Sequence, residues 1–326
     1  MITDVQVIIS ATEAAGQAGT WFPLIYIKGS TETATYKEYA SLAELTPDFA
    51  EGTDAYKIAS LIFMQDNKPD KIAVVAGGEA VMTALTPFMD KSWRQLIVAG
   101  EFDSTVATAI EATEKQYFTH FASVGELTSA KITSYDRTVA VVYSHEDVAN
   151  PEAAIVGRMA GYEAGQATYH AKVVKGVTAE AFTSAELEAI HKAGGFCYVM
   201  KNGRIATSNG ITGSGEWVDV VESFDYLIQN IRYDVQEVFL NNDKVPYTDA
   251  GISMIESAVY NRLKAAYGNG MIATNEDGTA AFKTSFKPRS QTTASDRATR
   301  NYPYGTFEFE LAGAIHKAKI TGTVVA

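Results

Sequence analysis

Short apolar segments alternate with helical segments in the first half of the chain, and this alternation limits the fold more than any other feature of the sequence. Each apolar segment is continuous, which indicates a sheet covered on both faces. Strands separated by helices are typical of a parallel sheet between helical layers. The predicted strands are residues 22–28, 71–76, 95–99, 117–122 and 137–143, and the predicted helices are residues 53–65, 79–89 and 104–115. The sequence therefore predicts an α/β fold.

A glycine-spaced helix follows these strands. It starts at Asn150-Pro151, with Asn150 as the N-cap and Pro151 in the first helical position. Gly157, Gly161 and Gly165 then recur at four-residue steps on one helix face. Small residues at this spacing let another backbone approach closely. We expect this face to pack closely against the sheet.

A hairpin is predicted next. Residues 184–193 form a helix that stops at Gly194-Gly195. Asn202-Gly203 is a strong signal for a two-residue turn between residues 196–200 and 204–208.

Two long helices dominate the region after a Gly-rich loop at residues 210–215. Apolar residues at three- and four-residue steps predict a helix over residues 218–240. Thr248 caps the second helix, which ends at Gly268. We place a domain boundary at the Gly-rich loop. It separates an α/β core at residues 21–209 from a smaller α+β domain at residues 210–304, so the overall class is α+β.

Both termini have strand patterns. Apolar residues occupy mostly odd positions over residues 307–315 and even positions over residues 318–324, with the change of phase near His316. Residues 1–10 form a second short strand candidate. The two segments, residues 1–20 and 305–326, are either ordinary edge strands or arms that join a sheet of a neighbouring copy. The predicted interface residues are Val5, Val7, Ile9, Phe307, Phe309, Leu311, Ile315, Ile320 and Val324.

Composition excludes several classes of protein. The 326 residues carry a net charge of −12, which argues against nucleic acid as the main partner. The single Cys197 leaves no intrachain disulfide or cysteine-based metal site. We find no signal-peptide pattern and no apolar stretch long enough to span a membrane. We therefore expect synthesis and folding in the cytoplasm.

Two sequence patterns suggest enzyme chemistry weakly. Residues 206–210 resemble a nucleophile elbow around Ser208, with His316 downstream, but the predicted strand before them is a hairpin arm. Gly77-Gly78 after an apolar strand has part of the pattern of a nucleotide-binding turn, without the complete glycine motif. The alternative hypothesis is thus an α/β enzyme, either a serine hydrolase or a nucleotide-binding protein.

The remaining candidates favour structural roles. The glycines of residues 210–215 precede a helix, but this loop contains no lysine, so a structural turn is the better interpretation. The five histidines lack the spacing of metal ligands. We predict no catalytic, cofactor-binding or metal-binding residue.

A basic stretch stands out in this acidic chain. An irregular segment is predicted over residues 283–300, where five basic residues oppose Asp296. The segment is either a solvated loop or a surface complementary to an acidic partner, which includes an acidic patch on a second copy. The basic residues are Lys283, Lys287, Arg289, Arg297 and Arg300.

The sequence KVPYTDAGI at residues 244–252 resembles the C-terminal domain of contractile tail sheath proteins of bacteriophages and phage-like particles. The run precedes the last long helix, as it does in that family. The resemblance extends over most of the chain. Its other segments are residues 38–63, 150–165, 186–203, 215–227, 288–300 and 309–324.

The resemblance implies a structural protein without catalysis. Such sheaths are six-membered rings stacked helically around an inner tube, joined by terminal arms that complete sheets in neighbouring subunits. The core is expected to have a subtilisin-like fold without a protease triad. Residues 283–300 or the helix over residues 248–267 are expected to face the tube or a neighbouring subunit. The implied partners are other copies of the chain, the tube protein, the baseplate and the tail terminator, with the sheath assembled in a bacterial cytoplasm as part of a virion tail.

Overall fold

The computed structural model describes residues 21–29, 33–78, 80–100, 102–113, 118–123 and 135–316. Val5, Val7, Ile9, Ile320 and Val324 lie outside these described residues, so their role stays a prediction. Contacts divide the chain into an N-terminal unit, Met1–Asn230, and a C-terminal unit, Ile231–Ala326. This division falls inside a long helix, and the boundary predicted at residue 210 stays a prediction.

The N-terminal unit alternates strands and helices as the apolar segments predict. Its strands are β1 (Phe22–Ile27), β2 (Thr35–Tyr39), β3 (Ile72–Ala76), β4 (Trp93–Val98), β5 (Phe118–Ser123), β6 (Thr138–Val142), β7 (Gly195–Lys201) and β8 (Arg204–Thr207). Its helices are α1 (Leu42–Leu45), α2 (Asp54–Phe63), α3 (Val81–Leu85), α4 (Ser104–Glu111), α5 (Glu152–Met159) and α6 (Ser184–Lys192). A 3-10 turn, Thr86–Phe88, follows α3. Helix α7 (Val218–Leu240) begins here and continues past Asn230.

These strands form one mixed sheet in the order β2-β3-β1-β4-β5-β6-β7-β8. The strands from β3 to β7 are parallel, and β2 and β8 pair antiparallel at the two edges. The turn between β7 and β8 has positive φ at both Asn202 and Gly203, which is the type I′ geometry that the Asn-Gly pair predicts. The predicted mixed α/β architecture is therefore confirmed.

Two apolar cores cover the two faces of the sheet. On one face, Ile62 of α2 and Ile155 of α5 are buried with Ile25 and Val74 of the strands. On the other face, residues of α3 and α4 such as Val106 are buried with further strand residues. Burial on both faces explains why the strand sequences are apolar throughout.

The glycine face packs against a different partner from the one predicted. A Cβ added at Gly157 would lie 2.6 Å from Cα of Ile62, and one at Gly161 would lie 2.1 Å from the carbonyl oxygen of Asn67. Both neighbours belong to α2 or to the turn after it. The glycines therefore bring α5 and its continuation onto α2, whereas the helix packs on the sheet through other residues such as Ile155. Since α5 ends at Met159, Gly161 and Gly165 lie beyond the helix.

The N-cap prediction at Asn150 was wrong. The N-cap position of α5 is Pro151, and no side chain caps it. The Asn150 amide nitrogen instead donates to the Val98 carbonyl at 3.3 Å and to Glu152 Oε1 at 2.9 Å. Burial raises the pKa of Glu152 to about 8. Asn150 therefore stabilises a buried carboxyl group and the end of β4 rather than the helix terminus.

The C-terminal unit consists of the second half of α7, a further long helix and a hairpin. Its elements after α7 are α8 (Asp249–Gly268), β9 (Phe282–Phe286), a 3-10 turn (Arg289–Gln291), α9 (Ala294–Thr299) and β10 (Gly305–Phe309). Thr248 caps α8 by accepting a hydrogen bond from the Gly251 amide, as predicted. None of the described helices is long and apolar enough to cross a membrane.

Two predictions for this unit need correction. The segment predicted to be irregular, residues 283–300, contains most of β9, the 3-10 turn and α9. Within β9, the half-buried positions 282, 284 and 286 alternate with the exposed Lys283 and Ser285. The strand predicted over residues 307–315 ends at Phe309, and beyond it Leu311 forms an isolated bridge with Ile272.

We predict that Gly157→Ala destabilises the N-terminal unit by about 1 to 3 kcal/mol, since the added methyl group forces α5 away from the backbone of α2. Urea unfolding followed by far-UV circular dichroism measures the change. Gly268→Ala is the control, because no heavy atom lies within 4 Å of the added Cβ. Equal stability of the two variants would contradict the close approach.

Candidate assembly site

The β9–β10 hairpin brings together three of the predicted interface and basic residues. The strands pair antiparallel, with Phe309 opposite Phe282, Phe307 opposite Thr284 and Glu308 opposite Lys283. In an antiparallel pair, directly opposed residues share one face of the sheet. The hairpin therefore has an inner face that carries the phenylalanines and an outer face that carries Lys283 and Glu308.

The inner face packs on α8. The ring of Phe282 meets Tyr260 edge-on, with 5.4 Å between ring centroids, and the Thr284 hydroxyl donates to Glu256 Oε1 at 3.0 Å. The rings of Phe307 and Phe309 stack at 6.2 Å and are half-buried. The two predicted interface phenylalanines thus belong to a sheet of their own chain.

Leu311 and Ile315 differ in their surroundings. Leu311 is half-buried in the bridge to Ile272, and the amide of the next residue, Ala312, donates to the Met271 carbonyl at 2.9 Å. Ile315 is 91% exposed. A single exposed apolar side chain does not by itself mark an interface, so the interface role of Ile315 stays a prediction.

The basic residues divide into exposed and intrachain groups. The Arg297 guanidinium donates to the carbonyl and the hydroxyl of Thr292 and is half-buried. Lys283, Lys287, Arg289 and Arg300 are exposed, and Lys287 Nζ lies 5.1 Å from the centre of the Tyr304 ring. Arg297 therefore stabilises its own loop, and the other four form a basic surface, which we call the basic face.

Hydrogen bonds fix the loop that presents the basic face. The Tyr304 hydroxyl donates to Asp296, whose backbone amide bonds to the Thr293 hydroxyl at the start of α9. The Arg289 amide donates to Asp249 Oδ1 at 2.6 Å, and the Tyr247 hydroxyl donates to the Asn301 carbonyl at 3.0 Å. The loop is thus folded onto the start of α8 rather than solvated along its length.

A buried charge cluster holds α7 in the N-terminal unit. Asp225 is fully buried and accepts from Arg94 Nη2 at 2.6 Å and from Arg137 at 2.5 and 2.8 Å. Arg94 belongs to β4, and Arg137 immediately precedes β6. The Trp21 ring covers the Arg94 guanidinium at 4.2 Å. We call Arg94, Arg137 and Asp225 the arginine clamp.

Sequence reasoning missed the arginine clamp, although one signal was present. Val221, Asp225 and Ile228 follow each other at four- and three-residue steps, so Asp225 occupies the apolar stripe of α7. A carboxylate in that position is rarely buried without a cationic partner. The two arginines are 131 and 88 positions away, and the sequence pattern does not connect them to Asp225.

The residues singled out for enzyme chemistry have structural partners. The Ser208 hydroxyl accepts from the Cys197 amide at 3.1 Å and lies 2.9 Å from His191 Nε2. Burial raises the pKa of the Cys197 thiol to about 11. The structure does not pair Ser208 with His316 among the described contacts. At Gly77-Gly78, the Gly78 carbonyl accepts from the Tyr26 hydroxyl at 2.7 Å.

The backbone amides of the Gly-rich loop also have hydrogen-bond partners within the chain. The amides of Gly213 and Ser214 donate to the carbonyls of Thr138 and Tyr135, at 2.8 and 3.1 Å. In the described part of the chain, no group of three or more His, Cys, Asp or Glu side chains is arranged to hold a metal ion. The loop amides are therefore used within the fold.

Comparison with known proteins supplies a family for the C-terminal part. Residues 218–324 match the family model "E217 tail sheath protein gp31-like, C-terminal domain". The resemblance to tail sheath proteins is confirmed. The sequence matched none of the curated proteins compared with it.

Solved structures of sheath proteins share the fold over the whole chain. The contracted helical sheath of the anti-feeding prophage matches with a TM-score of 0.74 at 14% identity, covering 100% of this chain and 99% of that one. The contracted PVC sheath complex of an extracellular contractile injection system gives 0.72 at 14% identity, covering 99% and 98%. A sheath tail protein of Listeria innocua gives 0.59 at 9% identity, covering 92% and 97%. These likenesses establish a tail sheath fold.

We predict that Asp225→Asn destabilises the sheath fold by about 3 to 5 kcal/mol, since it leaves two buried arginines without their anionic partner. Urea unfolding followed by tryptophan fluorescence suits this measurement, because all three tryptophans lie in the N-terminal unit.

Asp66→Asn is the matched control, since Asp66 pairs with Lys175 at the surface, where both side chains are more than half exposed. We expect no resolvable change there. If Asp225→Asn lowers the free energy of unfolding no more than the control does, the arginine clamp adds little to stability.

Proposed function

We propose that this chain is a structural subunit of a contractile tail sheath. In this proposal, copies assemble as stacked six-fold rings around an inner tube, and contraction drives the tube through a cell envelope. The full-length likeness to sheaths solved in the contracted state, together with the C-terminal family match, carries the proposal. The related structures include a helical sheath and a baseplate of the anti-feeding prophage.

The hairpin supports assembly through added strands. In the described residues, β9 and β10 form a two-stranded sheet and pair only with each other. The outer edge of each strand therefore has backbone groups available to a further strand. We propose that residues 1–20 and the part of residues 305–326 that follows β10 supply these strands from neighbouring copies, held by main-chain hydrogen bonds.

The basic face supports a contact with an acidic surface. Four exposed cations lie close together in sequence on a chain with a net charge of −12. We propose that this face or α8 contacts the tube or a neighbouring subunit, and that the baseplate and tail terminator bind the ends of the sheath. Energy for contraction would be stored in the extended lattice, so no nucleotide hydrolysis is required. Assembly would take place in a bacterial cytoplasm.

The alternative hypothesis, an α/β enzyme, has weaker support. A hydrolase using Ser208 needs a hydroxyl free to attack a substrate. This hydroxyl is buried and accepts a hydrogen bond from the Cys197 backbone amide. A nucleotide site at Gly77-Gly78 needs amides that face a phosphate, yet the Gly77 amide donates to the Ile27 carbonyl at 3.1 Å. We therefore propose a non-enzymatic role.

Negative-stain electron microscopy tests the proposal. The purified chain is imaged at high concentration, alone and with an inner-tube protein. Hollow tubes or stacked rings of uniform width are the expected result. A mass that remains monomeric with tube protein present would reject the sheath proposal.

Removing residues 313–326 should abolish polymerisation and leave a folded monomer. The truncation keeps the bridge of Leu311 and the hydrogen bond from the Ala312 amide. Circular dichroism and urea unfolding should match the full-length monomer, because the described residues that are lost are the exposed residues 313–315 and the half-buried His316. Microscopy should show no tubes.

A chain in which a Gly/Ser linker of equal length replaces residues 313–326 is the control for this truncation. If the strand sequence forms the contact, the linker variant also fails to polymerise. Normal tubes from either variant would remove this segment from the interface.

Charge reversal at the basic face should weaken assembly at about 0.1 M salt, where the Debye length is about 10 Å. Arg289→Glu is the test, because this side chain is exposed and only its backbone amide binds Asp249. Lys244→Glu, at another exposed lysine of the same unit, is the control. Light scattering measures the concentration required for assembly.

We expect this concentration to rise several-fold for Arg289→Glu and to approach the wild-type value at high salt, because salt screens exposed charges. Equal effects of the two reversals would show a dependence on net charge alone and would remove Arg289 from the interface.

A further inference from the structure

A small cavity in the N-terminal unit has the chemistry of a cation site. Its volume is about 20 Å³, and its lining includes Trp21, Gln95, Tyr162, Glu163 and Glu222. A cavity of this size accommodates about one water molecule or one group of similar size. None of these residues belongs to the two candidate enzyme sites or to the basic face.

Glu222 and Gln95 contribute acceptor oxygens at the cavity. Glu222 of α7 is 9% exposed, and its Oε1 accepts from the Tyr169 hydroxyl at 3.0 Å. Gln95 of β4 is 5% exposed and directs its amide nitrogen toward the same oxygen, at 3.5 Å. Gln95 Oε1 is buried and accepts no hydrogen bond in the described part of the chain. A buried acceptor without a donor costs free energy, so the cavity favours a ligand that donates hydrogen bonds.

The charges around Glu222 are mostly negative in the described part of the chain. Arg94 lowers the pKa of Glu222, but its guanidinium forms the buried ion pair with Asp225, which Arg137 shares. Asp219 and Asp225 add negative charge around Glu222, and burial raises the pKa of Glu222 to about 7. Glu163 adds a further, exposed carboxylate at the cavity. A cation bound here would restore the balance of charge.

The distribution of charge along the chain indicates where such a cation comes from. Residues 1–230 hold 16 Lys and Arg against 29 Asp and Glu, a net charge of −13, whereas residues 231–326 hold 11 against 10, a net charge of +1. These sum to the −12 of the whole chain. The exposed lysines of the hairpin, Lys283 and Lys287, belong to the second group.

We propose that this cavity binds the ammonium group of Lys283 or Lys287 from a second copy of the chain. The small volume fits a compact ammonium group better than a planar guanidinium. The Glu222 carboxylate, the Gln95 carbonyl and the Glu163 carboxylate would accept its three N–H donors. The identity of the occupant rests on the proposed sheath assembly, whereas the cation site itself does not.

The first experiment tests the site on the isolated subunit. Ethylammonium chloride is titrated at pH 8 against the ¹⁵N-labelled protein, and the resonances of the Gln95 side-chain amide and the Trp21 indole are followed. Saturable shifts are expected, and Glu222→Gln should abolish them. Because a proton competes with the cation for a carboxylate of pKa about 7, binding should weaken about tenfold between pH 8 and pH 6.

Tetramethylammonium chloride is the control ligand, since it carries a charge but no N–H donor and exceeds the cavity. Urea unfolding of Glu222→Gln checks that the variant is folded. Absence of shifts at pH 8, or equal shifts for both salts, would mean that the cavity holds only water, and the site would be rejected.

The second experiment identifies the occupant by charge exchange in the assembling protein. Glu163→Lys should raise the concentration required for assembly several-fold, and so should Lys283→Glu or Lys287→Glu. Combining Glu163→Lys with the correct lysine reversal should restore assembly, because opposite charges then meet again. Lys244→Glu is the control and should give no rescue.

If each lysine reversal simply adds its own assembly defect to that of Glu163→Lys, the lysine contact is rejected. This holds even if the ethylammonium site exists. If the wild-type chain forms no tubes with the tube protein, the proposed function and the lysine occupant fail together. The titration then still decides whether the cation site exists.

Discussion

The arginine clamp determines where α7 lies on the sheet of the N-terminal unit. Apolar contacts are not directional, so they favour burial of the helix without fixing its position along the sheet. Asp225 adds three charge-assisted hydrogen bonds to two arginines at the starts of β4 and β6. Burying these groups costs free energy, and a shift of the helix by one turn would leave all of them unpaired. The position of α7 is therefore fixed because any other position would leave these buried charges unpaired.

The same cluster organises its surroundings. The Trp21 ring lies on the Arg94 guanidinium and meets Tyr226 of α7 edge-on at 6.3 Å. Trp21 directly precedes β1, so the start of the described chain is attached to the helix and to β4 together. Glu222, one turn before Asp225, lines the small cavity and accepts a hydrogen bond from the Tyr169 hydroxyl. One helix thus carries a carboxylate held by two arginines and another held by a tyrosine hydroxyl.

Local patterns were sufficient to predict most elements, because periodicity and turn signals act over a few residues. The strands around Val74 and Val141, the Asn202-Gly203 turn and the Thr248 cap all depend on such short-range information. Partners distant in sequence were not predictable in this way. Gly157 was recognised as a site of close approach, but its partner Ile62 was not, since nothing in the spacing of glycines names the opposite surface.

The candidate site shows the same limit. Alternation around Phe307 and Phe309 predicts a strand, and it is silent on whether the strand partner belongs to the same chain or to another. The structure supplies β9 as a partner for this stretch, whereas Ile315 beyond it is exposed. Arg297 differs from the residues of the basic face because it is half-buried and donates hydrogen bonds to Thr292, which its residue type does not reveal.

Unequal charge on the two units favours one kind of self-association over another. A contact between identical patches would bring like charges together, whereas a basic surface of one copy against an acidic surface of the next is attractive. Contacts between different surfaces of identical subunits are heterologous, and they produce closed rings or open helices instead of isolated dimers. A two-stranded sheet is marginal alone and gains from additional strands. Electrostatics and strand pairing therefore both favour an extended lattice for this chain.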